Sequence, residues 1–251
     1  MFLSRYEIHV DFESFKDFLL GIKTHFAKNL GNIHKARNEI KVINHQNTDL
    51  VVKSFKIPHF LNKIIYTFFR NTKAKKSYEH ALKIGNFTPK PIGFIEFYKF
   101  GLLDESYFIS EKFEYDFTIR EPLLDADFPD KSEIFRAFAK FTYDLHESGI
   151  YHLDYSPGNI LIKKQGSGYI FKIVDINRMK FLPFDVSLRA KNFEKLWAKD
   201  EDLKIIAGEY AKLLNYDEKE FISLALKHSQ SLKKRKNFKK SLKKLIRKEK
   251  K

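Results

Sequence analysis

The sequence of 251 residues contains no cysteine, which excludes disulfide bonds, thiolate metal sites and thiol nucleophiles. It also lacks any apolar run near the roughly 20 residues that a membrane-spanning helix needs. The N-terminal stretch MFLSRYEIHVDFESF does not have the charged-then-apolar order of a signal peptide, so we expect a cytoplasmic protein. Hydrophobic residues make up 43% of the chain and aromatic residues 16%, which predicts a globular fold rather than a disordered chain.

The C-terminal end of the chain is short of acidic side chains. Residues 233–251 hold twelve Lys or Arg and one Glu, a net charge of +11 out of +15 for the whole chain. Phe238, Leu242, Leu245 and Ile246 recur at helical spacing among these cations, a composition typical of a helix that lies on an anionic membrane surface. A solvated helix end and a nucleic-acid-binding tail are the alternatives, and no DNA- or RNA-binding motif accompanies the charge.

The order of predicted elements separates a strand-rich N-terminal part from a helical C-terminal part. The N-terminal elements are two strands joined at Asn47-Thr48-Asp49, a helix over 72–84, and strands at 92–98 and 106–110. Beyond residue 114 the periodicity is helical, apart from one hairpin that turns at Gln165-Gly166-Ser167-Gly168. We therefore predict an α+β fold with an N-terminal lobe over 1–112, a C-terminal lobe over 113–232, and the basic tail 233–251.

Three side chains with oxygen donors flank that hairpin, in the stretches YHLDYSPGNILI and YIFKIVDINRMKF. Asp154 lies in a turn after a predicted helix, Asn159 immediately precedes the first strand, and Asp175 follows the second. If the two strands pair, Asn159 and Asp175 lie at the same end of the hairpin, with Asp154 above them. Oxygen ligands with room for water suit Mg²⁺, and a carboxylate outside the metal shell can accept a proton from a hydroxyl. Phosphoryl transfer needs this arrangement, because it depends on positioning and charge neutralisation.

The pattern H-x-D-x-x-x-x-N, followed by a hairpin and an aspartate, resembles the catalytic and metal-binding loops of the protein-kinase-like fold. The resemblance implies that Asp154 is the catalytic base and that Asn159 and Asp175 hold magnesium. It also implies that His152 braces the loop.

The same resemblance implies a lysine on an N-terminal strand and a glutamate on the helix that follows. In the stretch DLVVKSFKIP, Lys53 shares a strand face with Phe55, whereas Lys56 lies on the opposite face. Glu79 lies beside the apolar stripe of the predicted helix and is the implied partner of Lys53. Such a pair would hold the Lys53 ammonium against the phosphates of ATP.

The sequence departs from the protein-kinase pattern at two places. It has no G-x-G-x-x-G loop, and the stretch HKARNEI is the implied phosphate loop, in which Arg37 and Asn38 would replace backbone amides. Asp175 is followed by Ile176-Asn177, and no A-P-E segment appears downstream. The missing activation segment points away from protein substrates and toward small-molecule or glycolipid acceptors.

The stretches KAKKSYEHALKIGNFTPKPIGFIE and GIYHLDYSPGNILI resemble the lipopolysaccharide kinase family, also called Kdo/WaaP or InaA-like. The resemblance covers roughly residues 31–182. It implies an ATP- and magnesium-dependent kinase that phosphorylates a sugar hydroxyl of lipopolysaccharide or another lipid-linked glycan, on the cytoplasmic face of the inner membrane and without an obligate protein partner. One alternative is a soluble small-molecule kinase similar to aminoglycoside and choline kinases. The other is a pseudokinase or a nucleic-acid-binding module on a kinase scaffold, which the missing glycine loop favours.

Overall fold

The computed structural model describes residues 2–29, 34–35, 38–55 and 60–248. The chain divides into two compact units. The first comprises Met1–Glu114 with Val174–Arg178, and the second comprises Tyr115–Ile173 with Met179–Lys251. The short segment 174–178, which contains Asp175, is therefore grouped with the N-terminal residues rather than with the strand that precedes it.

The first unit is built on one six-stranded antiparallel sheet in the order β1-β5-β6-β4-β3-β2. The strands are β1 (Phe2–Ile8), β2 (His34–Lys35), β3 (Asn38–His45), β4 (Thr48–Phe55), β5 (Pro91–Lys99) and β6 (Leu102–Glu111). The helices are α1 (Lys16–Leu20), α2 (Ile22–Lys28), α3 (Phe60–Phe68) and α4 (Lys73–Ile84). The turn of the first strand pair lies at Gln46-Asn47, whose left-handed φ angles of 48° and 62° suit a two-residue hairpin. It begins one residue before the predicted turn at Asn47-Thr48-Asp49, because Thr48 and Asp49 already belong to β4.

Side chains alternate between the two faces of this sheet, and the two faces carry different helices. Leu50 and Val52 of β4 belong to a phenylalanine-rich core with α1 and α2, which includes Phe18 and Phe26. Phe55 of the same strand packs instead with Ala74 and Tyr78 of α4 and with Phe94 of β5. Because Lys53 is two residues from Phe55, its side chain lies on the α4 face of the sheet.

The second unit is mainly helical. Its helices are α5 (Arg120–Leu124), α6 (Lys131–Glu147), α7 (Val186–Asn192), α8 (Asp200–Leu214) and α9 (Glu218–Lys248). Its strands are β7 (Phe117–Thr118), β8 (Ile150–His152), β9 (Ile160–Gln165), β10 (Gly168–Ile173) and β11 (Met179–Phe181), in sheets ordered β10-β9-β7 and β11-β8. The predicted hairpin is confirmed, since β9 and β10 pair from Ile160 opposite Ile173 to Gln165 opposite Gly168.

Aromatic side chains fill the core between the helices of the second unit. Phe138 of α6, Tyr210 of α8 and Phe221 of α9 are fully buried, and the rings of Tyr210 and Phe221 stack with centroids 5.0 Å apart. Beyond this core α9 emerges with Phe238 and Leu242 exposed, while the side chains of residues 243–248 lie outside the described part. None of the helices described is both long and apolar enough to cross a membrane.

A substitution at Gly93 of β5 tests how closely β1 and β5 are packed. A Cβ atom at this position would lie 2.6 Å from the carbonyl oxygen of Glu7 on β1, and the ladder of backbone hydrogen bonds between β1 and β5 keeps the two strands from separating freely. We expect Gly93→Ala to lower the free energy of unfolding by about 1–3 kcal/mol, measured by urea denaturation. Gly168→Ala is the matched control, because a Cβ atom there has ordinary contacts no closer than 3.8 Å. Equal denaturation midpoints for the two variants would contradict this account of the sheet.

Candidate active site

In the second unit, the loop between β8 and β9 carries Asp154 and Asn159. The backbone N–H of Asp154 donates to Nδ1 of His152 over 3.0 Å, so His152 braces the loop as predicted. The side-chain amide of Asn159 donates to the carbonyl oxygen of Asp154 over 2.9 Å. These two hydrogen bonds fix Asp154 and Asn159 relative to each other.

Tyr155 anchors the same loop in the core. Its side chain is fully buried, and its ring stacks on Phe138 with centroids 5.7 Å apart. The Thr142 hydroxyl donates to the carbonyl oxygen of Phe138, so the Tyr155 hydroxyl donates to Thr142 Oγ1 over 2.8 Å. Burial raises the pKa of Tyr155, which therefore remains neutral and keeps this hydrogen bond.

A chain of buried hydrogen bonds reaches the loop from three helices. Asn192 Nδ2 donates to the carbonyl oxygen of His152 over 3.1 Å, so its Oδ1 must accept from His146 Nε2–H over 2.9 Å. His146 Nδ1 then accepts from the Tyr210 hydroxyl over 2.7 Å, and Arg189 Nη1 donates to the same hydroxyl over 3.0 Å. Every donor in the chain points the same way, which requires a neutral His146.

The protonation state of His146 agrees with this arrangement. Burial lowers the pKa of His146 to about 4; the hydrogen bond with Asn192 acts in the opposite direction, and the charge of Arg189 lowers the pKa further. A protonated imidazole would place a charge in the core and would reverse the hydrogen bond with Tyr210. His146 is thus neutral, and has a structural role, at pH values above its pKa of about 4.

Lys195 places a cation beside the predicted catalytic base. Its ammonium donates to the carbonyl oxygen of Leu153 and lies 3.9 Å from Oδ1 of Asp154. The guanidinium of Arg120 lies beside Gly158 of the same loop, where a Cβ atom would collide with Nη2. The loop therefore combines a half-exposed carboxylate with neighbouring cations that can attract anionic groups.

In the first unit, Lys53 and Asp175 form an ion pair. Lys53 Nζ lies 2.5 Å from Asp175 Oδ1, and the lysine side chain is only 13% exposed. Asn177 Nδ2 donates to the same oxygen over 2.6 Å. Asp175 has a left-handed φ of 58°, a conformation that Asp adopts more readily than most residues. A carboxylate is thus held against a lysine on the α4 face of the sheet.

The predicted ion pair between Lys53 and Glu79 is not formed. Glu79 is 41% exposed, accepts from Asn71 Nδ2 over 3.2 Å and lies 3.7 Å from Lys75 Nζ. Its neighbour on α4, His80, faces the segment that follows β10, and His80 Nδ1 is 2.7 Å from the carbonyl oxygen of Ile176. Consecutive helical residues point about 100° apart, so the position before His80 faces solvent.

The predicted phosphate loop is described only in part. Asn38 begins β3 opposite Phe55 and is half-buried, and Ile40 of the same strand lies opposite Lys53. Arg37 lies outside the described residues. The described part of this stretch therefore belongs to β2 and β3, and β3 pairs with β4, the strand that carries Lys53.

The chemistry of these side chains fits a magnesium ion and a nucleotide. Asp175 supplies a carboxylate and Asn159 supplies an amide oxygen, which are donor types that Mg²⁺ accepts. Lys53 supplies a cation on a strand, as phosphate binding requires. Each of these side chains therefore carries the type of donor or charge that a magnesium ion or a nucleotide phosphate binds.

Among the residues that contact these sites, His80, Arg120, Asn177, Asn192 and Lys195 were not identified from the sequence. Asn177 had a local signal, because it follows Asp175 by two residues, a spacing typical of side chain to side chain bonds in turns. Lys195 and Asn192 had none, since they are about 40 residues from the loop that they contact. Only the packing of α7 and the 3₁₀ turn after it, Phe193–Leu196, brings them there.

No protein-family model matches the sequence, and no curated protein matches it. The fold, in contrast, is shared with many solved structures. One of them is described as WaaP in complex with acyl carrier protein; it matches with a TM-score of 0.57 and 15% identity, over 91% of this chain and 99% of that one. The similarity confirms the predicted α+β kinase-like fold, with a strand-rich N-terminal lobe and a helical C-terminal lobe.

His146 provides a test of the buried chain. An unfolded histidine takes up a proton near pH 6.5, whereas folded His146 does so only near pH 4. The unfolded state therefore binds more protons between these values, and the stability present above pH 6.5 is lost as the pH falls through that window. From about pH 7 to about pH 5, we expect the wild type to lose roughly 2 kcal/mol more than His146→Gln in urea unfolding.

The control for this experiment is His228→Gln. Burial also lowers the pKa of His228, but this side chain is only partly buried and should contribute less. Parallel pH profiles for the wild type and His146→Gln would show that His146 does not titrate as the buried chain requires.

Proposed function

We propose that this chain is an ATP- and magnesium-dependent kinase that phosphorylates a sugar hydroxyl of lipopolysaccharide or a related lipid-linked glycan. The observation that carries the chemistry is the ion pair of Lys53 with Asp175, within a fold shared with WaaP. The acceptor class rests on that fold together with the sequence resemblance to lipopolysaccharide kinases. The same resemblance leads us to propose that the enzyme works on the cytoplasmic face of the inner membrane.

In the proposed reaction Asp154 orients the acceptor hydroxyl and accepts its proton. The hydroxyl oxygen forms a bond to the γ-phosphorus of ATP, and the bond from that phosphorus to the β–γ bridging oxygen breaks to release ADP. Asp154 suits this role because it is half-exposed and is held by the braced loop. Lys53 would neutralise the nucleotide phosphates, and Lys195 would attract the oxygens of the transferred phosphoryl group.

Asn159 and Asp175 would hold the magnesium ion, which supplies charge neutralisation to the phosphates when bound. Arg37 and Asn38 remain our proposal for the phosphate loop, in place of the backbone amides of a glycine-rich loop. Glu79 is not retained as the partner of Lys53, because Asp175 has that position.

Asp154→Asn is the first test of the chemistry. Asparagine has nearly the same shape but cannot accept the proton, so we expect turnover to fall about 10²- to 10⁴-fold with ATP binding unchanged. The assay is transfer from γ-labelled ATP into lipopolysaccharide of a Gram-negative envelope extract. Asp127→Asn, an exposed aspartate in a loop of the same unit, is the matched control and should behave as the wild type.

Four other outcomes would change the proposal. Near-normal turnover of Asp154→Asn would remove Asp154 as the base. Label in soluble sugars or amino alcohols but not in lipopolysaccharide would favour the small-molecule kinase. Failure to bind Mg-ATP at millimolar concentration would favour a pseudokinase, and retarded migration of nucleic acid at physiological salt would favour the binding module.

The basic tail separates a glycolipid kinase from a soluble one. Lys233 Nζ donates to the carbonyl oxygen of Ala198 over 2.7 Å and lies 3.5 Å from Asp200, so the first residue of the tail is part of the packed unit. The truncation is therefore best made after residue 236. It removes a net charge of +7, and we expect binding to anionic vesicles to weaken at least about tenfold, since each basic residue contributes around 1 kcal/mol.

Phosphorylation of a detergent-solubilised acceptor should be unchanged in the truncated protein, because the residues proposed for the chemistry all precede the cut. Sedimentation with vesicles measures the binding. Equal sedimentation of the full and truncated chains would remove the tail from membrane binding and would leave the soluble kinase as the better alternative.

A further inference from the structure

The first unit carries a group of apolar side chains that the core does not cover. Leu61, Phe68 and Phe69 on and after α3, and Phe100 between β5 and β6, are between 68 and 87% exposed. We call these four residues the apolar patch. Single exposed hydrophobic residues are ordinary, but three phenylalanines and a leucine in neighbouring positions indicate an interaction surface.

Three contacts place α3 beside the β5–β6 turn. Thr67 Oγ1 accepts from the backbone N–H of Leu103 over 2.9 Å, and Lys63 Nζ lies 3.3 Å from Asp104. Lys63 and Phe100 also line the same open cleft, of about 330 Å³. Lys63 of α3 and Phe100 thus border the same cleft, and Leu61 and Phe68, seven residues apart on one face of α3, belong to the helix at its edge.

The backbone conformation of Phe100 indicates that its side chain contacts a partner rather than the core of this chain. Phe100 and Gly101 have φ angles of 51° and 75°, the left-handed conformation of a two-residue hairpin turn. Asn, Asp or Gly usually occupies the first of these positions, because a larger side chain is strained there. The ring of Phe100 is 87% exposed, so packing against the core does not compensate for that strain.

The charge around the patch indicates what it contacts. Residues 60–76 contain five Lys or Arg and no acidic residue, although Lys63 pairs with Asp104 and Lys75 with Glu79. The Lys99 ammonium lies 5.7 Å from the Phe100 ring. Aromatic and aliphatic side chains bordered by cations are typical of segments that lie in the interface of an anionic bilayer. A bilayer also needs no matching shape, which suits side chains that project from the surface.

We propose that the apolar patch inserts into the interfacial layer of an anionic phospholipid membrane. This surface belongs to the first unit and is separate from the basic tail at 233–251. The contact is interfacial. The phenylalanine rings lie at the boundary between headgroups and acyl chains, and the lysine and arginine side chains lie at the headgroups. It does not depend on the proposed kinase activity, so the two proposals can fail independently.

Single-tryptophan probes test the insertion directly. Trp197 is the one native tryptophan, and Trp197→Phe provides a background in which Phe69→Trp or Phe100→Trp is the sole reporter. The probes are vesicles of phosphatidylcholine and phosphatidylglycerol in equal parts, with bromine on the acyl chains. We expect a blue shift and bromine quenching at both positions.

Val10→Trp in the same background is the matched control. Val10 is 75% exposed, and His9 beside it donates its backbone N–H to Ile92 at the start of β5, whereas Phe100 follows the end of that strand. A strand of nine residues is about 30 Å long, so Val10 should stay outside the bilayer. We expect no quenching at this control position.

The contribution of the tail is removed by ending the chain after residue 236 and by working at about 1 M salt, where the Debye length is only about 3 Å. Lipid-dependent quenching at Phe69→Trp should persist under these conditions, although total binding is weaker. Phe69→Ser with Phe100→Ser should lower vesicle binding of the truncated protein by about tenfold or more, with an unchanged thermal unfolding midpoint.

Two results would overturn the proposal. One is equal, negligible quenching at the patch and control positions with saturating lipid. The other is a blue shift that depends on protein concentration and appears without lipid, which would assign the patch to a contact between protein molecules instead.

Discussion

The hydrogen bond from the Asn192 amide to the carbonyl oxygen of His152 connects the helical core of the second unit to the loop that carries Asp154. The hydrogen bonds continue from there in one direction. Arg189 donates to Tyr210, Tyr210 donates to His146, and His146 donates to Asn192. Such a chain tolerates little change, because a buried polar group left without a partner costs about 1–3 kcal/mol. The position of Asp154 therefore depends on the neutral state of a histidine on α6.

In the first unit the corresponding constraint is the alternation of side chains along β4. Leu50 and Val52 are committed to the phenylalanine-rich core, which places Lys53 on the other face with Phe55 and α4. A lysine that is nearly buried needs a negative partner, and Asp175 provides it. His80 of α4 contacts the same short segment through the carbonyl oxygen of Ile176. Sheet geometry and charge pairing together define this site.

The sequence predicted those features that follow from local periodicity and turn chemistry. The β9–β10 hairpin, helix α4 and the bracing of the loop by His152 were predicted and are present. Glu79 was predicted as the partner of Lys53 and is not, because a shift of one helical residue selects His80 for the inner face. Helix α3 was not predicted, because the short apolar run in NKIIYTFF is equally consistent with a strand, although Lys63 and Thr67 recur at helical spacing.

The sequence by itself determined the α+β order of elements, the spacing of His152, Asp154 and Asn159 and the concentration of cations after residue 232, because each is a property of neighbouring residues. The tertiary structure decided which groups meet: Lys53 with Asp175, Lys195 with Asp154, and Phe100 with α3. These residues are separated by about 40 to 120 positions, and loop closure and core packing bring them together. A local sequence pattern contains no information on contacts between residues so far apart in the chain. The partners of the functional residues therefore follow only from the tertiary structure.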